Sequence, residues 1–132
     1  MKNESSIEVK DGYLLVTSKG VRSEFNSVIE GTNKINEAAK NYGLKYVLAD
    51  YRNVKYDVPI ADAFNLVKVY ENKLPIFNEI IICAVTNEES LEIAQFWESI
   101  CNRRGYNYKV FTDFDKAEHW LTKLIKQNNL QE

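Results

Sequence analysis

The chain has 132 residues, of which 45% are hydrophobic and 27% charged, and that composition predicts one globular domain over residues 1–132 with an ordered core of about 6–126. Its net charge is −2, with Lys and Arg scattered among Asp and Glu, so no basic stripe is offered to a phosphate backbone and nucleic acid is excluded as a partner. No stretch approaches the ~20 apolar residues of a membrane span, and the start, M-K-N-E-S-S-I-E-V-K, has no apolar signal region; this predicts no membrane insertion and a cytoplasmic location.

The first elements are two β-rich runs, Ile7 to Lys10 and Tyr13 to Ser18, separated by Asp11-Gly12, a two-residue hairpin signal. From Ser23 the apolar residues Phe25, Val28, Ile29, Ile35, Ala39 and Tyr42 keep to one helical face, and Gly43 is placed to end that helix in a left-handed conformation. Tyr46 to Ala49 is an uninterrupted apolar strand that runs through a polar turn into a second helix carrying Ile60, Ala63, Phe64, Val67, Tyr70 and Leu74 at steps of three or four. Leu74-Pro75 stops that helix. Glu79 to Val85 is the most apolar strand and is expected at the sheet centre.

Thr86 to Glu89 fits a capping box for a third helix, with Ile93, Phe96, Trp97, Ile100 and Cys101 inward and Gly105 beyond its end. Tyr108 to Phe111 is a short last strand. Asp115 with Glu118 is expected to cap a final helix burying Ala117, Trp120, Leu121, Leu124 and Ile125, before a polar tail from Gln127 that frays. The fold class is therefore α/β: an N-terminal β-hairpin followed by βα repeats, forming a mostly parallel sheet of four to five strands with four helices.

The residues from Leu48 to Ile60 resemble the central motif of STAS domains, the sulphate-transporter and anti-sigma-factor-antagonist group with the SpoIIAA-like fold. In that motif an apolar strand ends in Asp, and a second Asp precedes two serines and a glycine at a helix start. Asp50, Val54, Tyr56 and Asp57 stand in register with it, and the closing F-T-D-F-D-K-A-E-H-W-L is similar to the last strand and helix of single-domain bacterial members. The resemblance implies a non-catalytic regulatory or scaffold domain that binds a protein partner through its second-helix face. It also marks a departure: the serine that is phosphorylated in the antagonists falls on Val58 or Pro59, and neither side chain accepts phosphate. SpoIIAA-like domains are structurally similar to the lipid-binding CRAL-TRIO group as well. The alternative that this implies is a module for a small apolar or lipid-like ligand.

The partner- or ligand-binding candidates are Asp50, Arg52, Tyr56, Asp57 and Asn87. Asp50 ends a strand, where open α/β sheets place ligand groups, or else bonds the backbone of its own turn. Arg52 is spaced to hold a carboxylate or phosphate bidentately, or to pair with Asp50 or Asp57 at the rim. Thr86 and Asn87 face the same edge but serve equally as helix caps. The eight tyrosines either fence the core or mark an interface.

No catalytic constellation emerges, and the chain reads as no enzyme. His119 has no nucleophile or metal partner nearby in sequence, and Asp113 and Asp115 read as cap and turn residues. A receiver-type phosphoacceptor role for Asp50 fails for lack of the acidic pair and lysine that chemistry needs, since those places read Ser18-Lys19-Gly20 and Thr112-Asp113. No G-x-G-x-x-G or P-loop is present. Cys83 and Cys101 have no ligand-spaced neighbours and read as reduced core thiols, so no metal and no cofactor are expected. No residue pattern specifies an oligomeric state.

Overall fold

The computed structural model describes residues 4–22, 25–57, 59, 61, 65, 68 and 79–130, with backbone alone at 25–30, 32 and 130. Its elements run β1 (Glu4–Val9), β2 (Leu14–Arg22), α1 (Phe25–Tyr42), β3 (Tyr46–Tyr56), β4 (Ile81–Thr86), α2 (Leu91–Arg103), β5 (Asn107–Phe111) and α3 (Phe114–Leu130). Among the described residues there are thus three helices rather than the four expected. Of the helix predicted from Ile60 to Leu74 only Ala61, Asn65 and Lys68 are described, each helical and exposed; the rest lies outside the described residues.

The five strands form one sheet in sequence order, β1-β2-β3-β4-β5. The first pair is antiparallel and the others are parallel. The hairpin forms where Asp11-Gly12 predicts it: Gly12 takes a φ of +89°, and the Lys10 N–H donates to the Tyr13 carbonyl at 2.8 Å. Gly43, at φ +63°, ends α1 as expected, with the Leu44 N–H returning to the Ala39 carbonyl. Because the hairpin adds two strands on one side, the centre of the sheet is β3 and not the more apolar β4. The apolarity of β4 follows instead from cover on both of its faces.

Alternation along β3 shows how the core divides. Val47, Ala49 and Tyr51 face one side with Leu14, Val16, Ile82 and Ala84, where α1 lays Ile35, Ala38 and Ala39 and α2 lays Ile100 and Cys101. Tyr46 and Leu48 face the other side with Tyr13, Cys83 and Val85, under Ala117, Leu121 and Ile125 of α3. A fully buried Val or Leu in either layer is stabilising by about 1.5–3 kcal/mol relative to the exposed side chain. Both cysteines are buried free thiols, and burial pushes the Cys83 thiol up to about 12.

Two helix ends differ from expectation. α3 continues through Leu130, and the Asn128 amide donates to the Tyr46 hydroxyl at 2.6 Å, tying down a turn expected to fray. Its N-cap is Asp113, whose carboxylate accepts the Lys116 N–H at 3.0 Å, and not Asp115. No helix among the described residues is long and apolar enough to cross a membrane.

Candidate functional site

β3 outruns its neighbour. The last residue of β4, Thr86, pairs with Tyr51, while β3 continues to Tyr56 beside β2. Between Thr17 and Lys19 of β2, the partners in β3 step from Asp50 to Asn53, so β3 carries an extra residue there. Such a bulge re-aims side chains and bends the strand. Here it sets Arg52 back against Asp50 at the carboxyl end of the parallel strands.

The Asp50 carboxylate accepts three hydrogen bonds from one residue: Arg52 Nε at 2.9 Å, Nη2 at 2.8 Å, and the backbone N–H at 3.2 Å. The geometry is the bidentate fork that a guanidinium makes with a carboxylate. Asp50 is only 8% exposed, whereas the Arg52 side chain remains 48% exposed. Burial by itself pushes the Asp50 carboxyl up, but the hydrogen bonds and charge of Arg52 outweigh it and hold the carboxyl below its ordinary value. The guanidinium lies 5.0 Å from the centre of the Phe114 ring at the start of α3, a cation-π distance. Bonding to Asp50 first, and the field of Asp115 and Asp113, favour its charged form, against a smaller opposing effect of burial.

Asn87 completes this rim. Its amide donates to the Arg52 carbonyl at 3.0 Å and the Val54 carbonyl at 3.1 Å, the groups of β3 that β4 is too short to pair. Its side-chain oxygen accepts the Ser90 N–H at 2.8 Å, holding the turn into α2. The capping box expected at Thr86 to Glu89 does not form, because α2 begins later, at Leu91. The Thr86 hydroxyl, on a residue 2% exposed, has no hydrogen-bond partner, an exception among buried polar groups.

Asp50, Arg52 and Asn87 are therefore brought together, and the other two sequence candidates are not. Tyr56 turns to the opposite face, where the Arg22 guanidinium lies 5.0 Å from the Tyr51 ring centre and 5.8 Å from that of Tyr56. Burial pushes both tyrosines up, and the Arg22 charge opposes it. Asp57 is exposed and donates its backbone N–H to the Arg22 carbonyl at 2.9 Å. The second-helix face and Val58 lie outside the described residues.

Arg22 was not legible as part of a cluster. Its one trace in sequence is Gly31, a glycine inside a helix, where it costs about 1 kcal/mol relative to alanine. A Cβ at Gly31 would stand 2.9 Å from Arg22 Nη2 and 3.0 Å from Nη1, so the glycine admits a buried guanidinium against the helix. Of the tyrosines, Tyr13, Tyr46, Tyr51 and Tyr106 are buried and Tyr42 is exposed. His119 is exposed, and no group of His, Cys, Asp or Glu among the described residues is placed to hold a metal ion.

A concavity lies at the opposite, amino end of the sheet. It is a half-open pocket of about 540 Å³ between Gly12, Gly43, Leu44, Tyr46, Ile80 and Ile125, with Lys40, Lys45, Glu79 and Asn129 around it.

No protein-family model matches the chain, and no curated protein matches it. Solved structures do. An anti-sigma factor antagonist from Mycobacterium paratuberculosis superposes with a TM-score of 0.61 at 13% identity, over 92% of this chain and 95% of that one. An uncharacterized protein with a SpoIIAA-like fold from Shewanella loihica superposes with a TM-score of 0.53 at 18% identity, over 90% and 93% of the two chains. The likeness shows the fold: this chain is SpoIIAA-like, as the Leu48 to Ile60 segment implied.

Proposed function

We propose that the protein is a non-catalytic, cytoplasmic regulatory or scaffold domain that binds a protein partner at the carboxyl end of its sheet, over Arg52, Asn87 and the start of α3, and onward across the expected second-helix face. The observation that carries this reading is the state of Arg52. A guanidinium has five N–H donors, and Asp50 takes two of them through the side chain, which leaves three. The carboxylate and the Phe114 ring fix its direction, while half of the side chain remains exposed. An arginine ordered before binding loses little entropy on binding, and arginine is among the residues that dominate protein interfaces.

The surroundings define the partner's chemistry. Glu88 and Glu89, after Asn87, and Asp113 and Asp115, whose field reaches Arg52, are exposed, so the partner presents basic side chains around one carboxylate or carbonyl that meets Arg52. The fold shared with an anti-sigma factor antagonist fits a role in protein binding. A phosphoserine switch at the second-helix start has no hydroxyl to act on at Val58 or Pro59. The test is quantitative capture from native bacterial lysate with wild-type, Arg52→Ala and Asp57→Lys baits. A protein retained by wild type and lost from Arg52→Ala supports the reading; retention of the same proteins by all three overturns it.

A second reading has its own observation. The pocket at the amino end is lined by Leu44, Tyr46, Ile80 and Ile125 together with Lys40, Lys45 and one acid, Glu79, which suits a small amphipathic, lipid-like ligand. Native mass spectrometry of protein purified without detergent decides it: a persistent extra mass, lost on Ile80→Asp, supports the carrier, and bare protein alone rejects it.

A further inference from the structure

The two edges of the sheet are finished differently. On β5 the outward backbone groups are already taken: Glu98 Oε2 accepts the Val110 N–H at 2.6 Å, and the Asn102 side chain both accepts the Tyr108 N–H and donates to the Tyr108 carbonyl. Side chains of α2 thus close that edge. On β1 no described segment pairs with the outer side. The Lys10–Tyr13 bond fixes which groups point outward, because inward and outward pairs alternate along an antiparallel ladder. Lys10, Glu8, Ser6 and Glu4 bond inward to β2, and Ser5, Ile7 and Val9 hold their N–H and C=O groups toward solvent.

We propose that the β1 edge is a self-association surface, on which a second copy of this chain adds its own β1 in antiparallel fashion to make a continuous ten-stranded sheet about a two-fold axis at Ile7. The register follows from the charges. Shifting one strand by a single residue sets outward groups against inward ones and forms no ladder. Of the registers that remain, centring on Ser6 opposes Glu4 to the partner copy's Glu8, and centring on Glu8 opposes that residue to itself. Centring on Ile7 joins all three outward residues of each strand, sets Ser5 opposite Val9, and sets Glu4 opposite Lys10 twice. Charges on an edge strand usually discourage pairing; here they disfavour centring on Ser6 or Glu8, while centring on Ser5 or Val9, which sets no like charges opposite, joins fewer of the three outward residues than centring on Ile7.

The side chains agree with that seam. Ile7 already packs against the core beneath α1, and Val9, 51% exposed, lies on the same face, so the two copies extend one apolar layer across the junction. The present ion pairs of these residues, Glu4 with Lys19 at 3.1 Å and Glu8 with Lys10 at 2.9 Å, are solvent-exposed and exchange at little cost. One short strand per copy is far smaller than a standard interface, so the dimer forms at ~10 µM to ~1 mM protein.

Sedimentation equilibrium of the full chain over that range at low salt tests the proposal. The wild-type mass should rise from 15.3 kDa toward twice that value. Glu4→Lys and Lys10→Glu should each weaken association about tenfold, since each turns two attractive cross-strand pairs repulsive. The double reversal Glu4→Lys/Lys10→Glu restores both pairs and should return the dissociation constant to within about threefold of wild type. Val9→Pro removes an outward N–H that the monomer does not use and should abolish the dimer with the circular dichroism unchanged. A monomer at every concentration, a dimer indifferent to the single reversals, or a double reversal no better than the singles overturns the proposal. Should Val9→Pro disturb the fold, the charge exchange decides the matter alone.

Discussion

Arg22 and Arg52 stand at the same end of the sheet on adjacent strands, yet one is 6% exposed against two tyrosine rings and the other keeps a side chain 48% exposed beside a single carboxylate. They leave opposite faces of the sheet. Arg22 spends its charge inside the fold, lying over aromatic rings and against a helix that has a glycine to receive it. Arg52 is held in place but not used up. The contrast teaches that charge type and position do not separate a structural arginine from a binding one; what separates them is how many donors the fold consumes and how much surface is left.

The largest break of that comparison is Arg22→Ala, which removes the cation-π contacts and the packing of the stem and should cost about 2–4 kcal/mol in urea unfolding. Gly31→Ala should cost less, since the displaced guanidinium is offset by about 1 kcal/mol of helix propensity. Next is Asn87→Ala, which strands two β3 carbonyls and leaves the Ser90 N–H only its longer bond to the residue-87 carbonyl, and should cost about 1–3 kcal/mol by the same measurement.

Arg52→Ala should cost about 1 kcal/mol and abolish partner capture, and it should also reverse a pH response. In the wild type the folded Asp50 carboxyl ionises below its unfolded value of ~4, so its stabilisation is complete above that pH and is lost as pH falls through the folded value. Without the Arg52 side chain, burial, the largest single effect, is opposed only by the backbone N–H of residue 52, and the folded carboxyl rises above the unfolded one. Its contribution is then fully present below pH ~4 and lost as pH rises through the folded value. Urea midpoints between pH 3 and pH 6 would show opposite slopes for the two proteins. The smallest effect belongs to Asp50→Asn, under about 1 kcal/mol, because the freed guanidinium is half in water. An Arg52→Ala cost above that of Arg22→Ala would erase the distinction between the two residues.

Much of the architecture was legible because it rests on local chemistry. Asp11-Gly12, Gly43 and Gly105 each mark a turn at a positive φ that side chains disfavour, and the helical periods around Ile35, Ile100 and Leu121 identify the buried faces. The site was legible in part. Asp50 and Arg52 are two residues apart, so their pairing is nearly local. The bulge that enables it depends on how β3 registers against β2, which no spacing within β3 records. Asn87 was readable as a cap, but its bonds to Arg52 and Val54 exist only because β4 ends five residues before β3 does. Tyr56 and Asp57 share the motif with Asp50 yet turn to another face or to solvent.

By itself the sequence determined the element order, the hairpin, the helix stops and the apolar layers, since each depends on φ preferences and on periods of two and 3.6 residues that neighbouring residues carry. Only the tertiary structure decided that β3 is central, that Arg22 is buried while Arg52 is not, and that α2 closes the β5 edge while no described segment pairs with the outer side of β1. Those outcomes depend on which distant strand or helix arrives beside a residue, and so on contacts between segments that lie far apart along the chain.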